Sequence, residues 1–134
     1  MIINIENLDL MNVVDGKLHD SRVISFNYDL LTKKMSLIIL SVLGEKIYLD
    51  FENVQGSVLS YDFDMISEND VIFGWESIPN TVIKDNYLFE VKERFTNNKG
   101  EWNEALFAVR FLFVNMCELK IICEQISVDV LKNF

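Results

Sequence analysis

Hydrophobic and polar residues alternate along much of this chain, and alternation with period two predicts strands. In RVISFNYDL (22–30), Ile24, Phe26, Tyr28 and Leu30 fall on one face, with Ser25, Asn27 and Asp29 on the other. MSLIILSV (35–42) is apolar at both parities and reads as a central strand. KIYLDF (46–51) alternates again, with Ile47, Leu49 and Phe51 inward. LTKK (31–34) and Leu43-Gly44-Glu45 are short connections, so the three strands form an antiparallel meander.

The second half repeats this logic. Tyr87, Phe89, Val91 and Phe95 share a face, and TNNKGEWN (96–103) follows as a polar hairpin loop. Ala105, Phe107, Val109, Phe111 and Phe113 share the next face, and Leu106, Ala108, Leu112 and Val114 make the opposite face apolar too. Asn115-Met116 turns the chain into CELKIICEQISV (117–128), which reads as one largely buried strand ahead of a frayed end or a last short helical turn. Elsewhere the pattern is weaker. Residues 2–10 read as a short strand or an irregular lead-in. VVDGKLHDS (13–21) reads as turn-rich, with Asp15-Gly16 its strongest signal. Leu59, Tyr61 and Phe63 suggest a fourth strand over 57–64. Ser67 as a cap and Gly74 as a terminator suggest a short helix or turn over 67–74, and 78–80 reads as a loop.

These elements predict a single, mainly β domain over 1–134, with about seven or eight antiparallel strands and at most one short helix. Half of the 134 residues are hydrophobic, ten of them Phe. That is too much apolar surface for one sheet with a wet face, so the strands are expected to close as a barrel or fold over as a sandwich. The longest apolar run is well short of the roughly 20 residues a spanning helix needs. Glu6 and Asp9 interrupt the N-terminal apolar residues, unlike a secretory leader, so a cytoplasmic protein is expected.

Charge sharpens the functional question. The net charge is −9. Between Lys46 and Lys84 there is no Lys, Arg or His, while Asp50, Glu52, Asp62, Asp64, Glu68, Asp70 and Glu76 all fall there. Tyr48, Phe51, Tyr61, Phe63, Phe73 and Trp75 are interleaved with them. Acids speed the encounter with a basic protein, and large aromatics hold such complexes together. The candidate partner-binding residues are therefore Tyr61, Asp62, Phe63, Asp64, Glu68, Asp70, Trp75 and Glu76. The same charge argues against nucleic acid, whose binding rests on Lys and Arg displacing counterions, and against anionic membranes. A solvated acidic loop has the same composition, and Trp75 and Trp102 could each fold back to cap the core.

Motifs of catalysis are weak. His19-Asp20-Ser21 holds the residue types of a hydrolase triad, but neighbours in extended chain point apart and triads converge from separate segments. A polar turn is the simpler reading. Asp62-x-Asp64 with Glu68 and Asp70 fails the calcium-loop pattern, since Ile66 and Ser67 occupy the fifth and sixth places. No phosphate-binding glycine loop occurs. Cys117 and Cys123 lie about 20 Å apart if on one strand, too far for a disulfide, and read as buried thiols. No catalytic residue, cofactor or metal ligand is assigned.

Several strings carry a resemblance. LHDS (18–21), SFNYD (25–29), MSLIIL, IYLDFENV (47–54) and CELKIICEQISVDV, in that order, resemble small uncharacterised bacterial β-rich proteins, some of them predicted immunity proteins of polymorphic toxin systems. The resemblance implies a cytosolic protein that binds and neutralises a toxin, and it supplies no site residues; with catalytic motifs weak, a non-enzymatic interaction protein is expected. The alternatives are a small-molecule-binding β-barrel whose Phe residues line a cavity, and a domain that pairs with its own copy, as a homodimer, through an exposed strand edge.

Overall fold

The computed structural model describes residues 1–59, 71–78, 103–114 and 118–132. Among these, the chain forms nine strands: β1 (Ile2–Ile3), β2 (Arg22–Asp29), β3 (Lys34–Leu40), β4 (Lys46–Glu52), β5 (Gly56–Leu59), β6 (Ile72–Ile78), β7 (Phe107–Phe113), β8 (Glu118–Cys123) and β9 (Gln125–Leu131). A 3-10 turn (Leu8–Leu10) leads into one helix, α1 (Met11–Leu18). Two antiparallel sheets result, with orders β1-β9-β4-β3-β2 and β5-β8-β7-β6. They face each other as a sandwich, and the barrel alternative is not what forms.

The β2-β3-β4 meander follows from the alternation, and its turns have identifiable causes. At the β2–β3 turn, Asp29 Oδ1 accepts the backbone N–H groups of Leu31 (2.9 Å) and Thr32 (3.2 Å). Those bonds, Thr32 first, hold the Asp29 carboxyl below its ordinary value. Gly44, with φ +83°, closes the β3–β4 turn, where Ser41 accepts at both its carbonyl and its Oγ. Along β4, Ile47, Leu49 and Phe51 are fully buried, as the pattern predicts.

The inner faces meet around Phe51, Phe111 and Trp75. The Phe51 and Phe111 rings stand edge to face at 6.1 Å, and Trp75 leans on Phe111 at 5.6 Å. Leu37, Ile39, Ile47, Phe107, Val109, Ile121 and Ile126 complete the layer, and each such buried side chain stabilises the fold by about 1.5–3 kcal/mol. The sheets are joined at two corners. At one, the chain leaves the five-stranded sheet after Glu52, with Asn53 at φ +50°, and returns beside it at Glu124, whose N–H reaches the Glu52 carbonyl. At the other, Arg22 bridges Val71, and Ile72 exchanges backbone bonds with Asp20 and Ser21.

Four expectations are corrected. The segment 13–21 is mostly helical, because Met11, Val14 and Leu18 recur at helical spacing and bury one stripe against β6. Asp15-Gly16 lies inside that helix, and its turn signal is overridden. Residues 71–74 lead into and form β6, and Ile78 ends that strand, where a short helix or turn and then a loop were expected. The run 117–128 is two strands in different sheets, divided at Glu124. In β2, which carries a bulge between Val23 and Ser25, Phe26 (42% exposed) and Tyr28 (36%) pair with the buried Leu37 and Met35 but, on the last strand of the sheet, are not core residues. The expected strand over 86–95 and the loop at 96–102 lie outside the described residues. So do residues 60–70 of the expected fourth strand and short helix.

Candidate functional site

Six of the eight candidate partner-binding residues, Tyr61, Asp62, Phe63, Asp64, Glu68 and Asp70, lie outside the described residues, as does Trp102. Trp75 and Glu76 are placed on β6. Trp75 is only 7% exposed, and its Nε1–H donates to the Met11 carbonyl at 2.9 Å. It is a core anchor that ties α1 to β6, so its assignment as an exposed binding aromatic is corrected. Burial of the ring with its one donor satisfied is the reason. Glu76 faces Arg110 across the β6–β7 ladder and forms an ion pair with it. Arg110 also reaches Glu118 at 3.2 Å, so Glu76 belongs to a charge network on the outer face of the four-stranded sheet.

The same acidic interval does build a surface on β4. Ile47, Leu49 and Phe51 turn inward, and period two therefore turns Lys46, Tyr48, Asp50 and Glu52 outward. Register places Tyr48 between Ile38 of β3 and Asp129 of β9. One step along the ladder, Asp50 lies between Ser36 and Ser127. Ser36 Oγ donates to Asp50 at 2.7 Å, which fixes that carboxylate on the face. Glu52 accepts from Gln125 at 3.1 Å and stands 3.8 Å from Lys34.

Tyr48, Asp50, Asp129, Val130 and Leu131 enclose a shallow depression of about 340 Å³. Ile38, half-buried, is the cross-strand neighbour of Tyr48, and Leu131 is 55% exposed. The face thus has an aromatic and aliphatic centre with two aspartates at its rim. Sequence reasoning named Tyr48 and Asp50 within the acidic interval but could not add Asp129. Asp129 joins them only through β9 pairing beside β4, a contact between positions 81 residues apart in the chain, by the subtraction 129 − 48.

The triad-like residues take separate roles. Ser21 is fully buried, and its Oγ donates to the Leu18 carbonyl at the end of α1. His19 Nδ1 lies 2.6 Å from the Phe73 carbonyl, and its ring meets the Phe73 ring edge-on at 5.5 Å. Its Nε2 lies 3.6 Å from Asp20. Asp20 sits at φ +63°, which turns the chain from helix into β2. The local task of all three residues is to fasten α1 to β6. Cys123 is buried, and burial pushes its thiol up to about 12, which leaves it a poor nucleophile. Cys117 lies outside the described residues.

Among the described residues, no three His, Cys, Asp or Glu side chains gather as a metal site. No helix among them is long and apolar enough to cross a membrane. A second concavity, of about 470 Å³, is lined by Phe73, Leu112, Phe113, Val114 and Glu118. Comparison with protein-family models and with curated protein sequences yields no match.

Proposed function

We propose that this chain is a non-enzymatic, cytoplasmic protein-binding module that docks a basic protein on the outer face of its five-stranded sheet. The observation that carries the reading is the depression around Tyr48, an aromatic centre set between Asp50 and Asp129 on a sheet face turned away from the core. Tyr48 supplies apolar contact area at low entropic cost, and the aspartates select a cationic partner and speed its approach. The net charge of −9 acts in the same direction. Asp62, Asp64, Glu68 and Asp70 of the acidic interval add to that charge. The resemblance to predicted immunity proteins gives the partner its class, a basic toxin held inactive by its bound antagonist.

Affinity capture from the native organism, at low and at high salt, tests this reading. The expected result is one stoichiometric basic protein, released by salt, whose capture is lost with Tyr48→Ala and reduced with Asp50→Asn/Asp129→Asn. A second set, Asp62→Asn/Asp64→Asn/Glu68→Gln/Asp70→Asn, reports the share carried by the 61–70 segment. Capture that none of these variants weakens refutes the acidic docking surface.

A rival reading has its own observation. The cleft beside Phe73, 58% exposed, and Val114, 57% exposed, is apolar and large enough for part of a lipophilic ligand. It lies at the surface, while Phe51, Phe107 and Phe111 are packed within the core. Native mass spectrometry of the purified protein would show a retained ligand if this reading held.

A further inference from the structure

The edge strand β2 is built differently from the other strands. Every residue from Ser25 to Leu31 is exposed, whichever face it occupies. On the side away from β3, the one described pairing of β2 is Arg22 with Val71, at its first residue. Beyond that bridge, among the described residues none pairs with Ser25–Asp29 on this side, a stretch that lies between the Arg22–Val71 bridge and the Leu30–Lys33 turn. Phe26 and Tyr28 pair with buried Leu37 and Met35, so they occupy the inward side of the sheet. Ser25, Asn27 and Asp29 occupy the outward side.

We propose that β2 pairs antiparallel with β2 of a second copy about a two-fold axis at Asn27, joining two five-stranded sheets into one. The sequence of this edge is self-complementary about that point. Phe26 faces Tyr28 of the second copy, and the reverse, giving two aromatic cross-strand pairs on the inward side. Ser25 faces Asp29 of the second copy on the outward side, again twice. The sheet already contains such a pair: Ser36 and Asp50 are directly opposed and hydrogen-bonded at 2.7 Å.

Other registers fit less well. A shift by one residue sets inward against outward side chains. Centring on Phe26 carries the second chain into the Arg22–Val71 bridge. Centring on Tyr28 gives up both the Phe–Tyr and the Ser–Asp pairs. The chosen register also brings Leu30, 79% exposed, beside Ile24 of the second copy. The pairing is short, so the dimer is expected to be weak and concentration-dependent.

Sedimentation velocity of the whole protein, from about 10 µM to about 1 mM, reads the equilibrium. The expected mass rises from 15.6 kDa towards twice that value. Ser25→Asp opposes two aspartates and moves the midpoint to about tenfold higher concentration, whereas Ser25→Lys leaves it unchanged or lower. Phe26→Lys/Tyr28→Lys abolishes the dimer. Thermal unfolding of each variant checks that these exposed changes leave the fold intact. Independently, oxidised Asn27→Cys is expected to form a covalent dimer that the oxidised parent chain does not. A monomer at every concentration overturns the proposal. So do equal effects of Ser25→Asp and Ser25→Lys, or an Asn27→Cys chain that does not cross-link.

Discussion

Trp75 is the residue on which composition misleads most. A tryptophan amid acids reads as a binding anchor, but its register on β6 turns the ring to Phe111 and its N–H to the Met11 carbonyl. No local pattern carries that information, because the acceptor lies 64 residues away. Trp75→Phe removes the donor to the Met11 carbonyl, so it is expected to cost about 1 kcal/mol in denaturant unfolding, with little effect on partner binding. Cys123 was legible, since its parity matches Leu119 and Ile121 and all three are buried. Its thiol ionises near 9.0 in the unfolded chain and near 12 in the fold. The unfolded state therefore loses the proton first, and the contribution of this group to stability is intact below pH 9.0 and falls as pH rises towards 12. Unfolding of Cys123→Ala in the same alkaline range should show a shallower decline. A decline identical to the parent's would assign the loss to other groups.

Elements were legible where period and environment agree. Strands β3, β4 and β7 emerge from the pattern because one face of each meets the core along its length, whereas β2 alternates in sequence although only Val23 of it is buried. Helix α1 was missed although Met11, Val14 and Leu18 carry the helical spacing, since Asp15-Gly16 outweighed a stripe of only three residues. The Asp15 side chain is used instead to accept the Trp75 backbone N–H at 3.2 Å. The break between β8 and β9 was illegible because neither Gly nor Pro marks Glu124; the chain changes sheets there through tertiary pairing alone. Turns allow sharper predictions. Lys33 is held at φ +56°, a left-handed conformation that costs a side chain about 1–2 kcal/mol. Lys33→Gly should therefore raise stability by several tenths of a kcal/mol after the entropy of glycine is subtracted, read as a small increase in Tm. Gly44 at φ +83° is the converse, and Gly44→Ala is expected to destabilise by about 1 kcal/mol.

At the scale of the molecule, the apolar load predicts a barrel or a sandwich, and a sandwich forms. Neither composition nor alternation chooses sandwich over barrel, which depends on where β4 and β8 hand over to β5 and β9. The acidic interval is likewise divided by the fold: Phe51 and Trp75 enter the core, Glu76 joins Arg110, and Tyr48 and Asp50 remain on the open sheet face with Asp129. The central claim is that this face, and Tyr48 within it, meets a basic protein. Hydroxyl-radical footprinting of the chain alone and with its captured partner tests it most directly. The account predicts that labelling of Tyr48 falls several-fold in the complex while Phe73, on the other sheet, is unaffected. Unchanged labelling of Tyr48 in a saturated complex would contradict it.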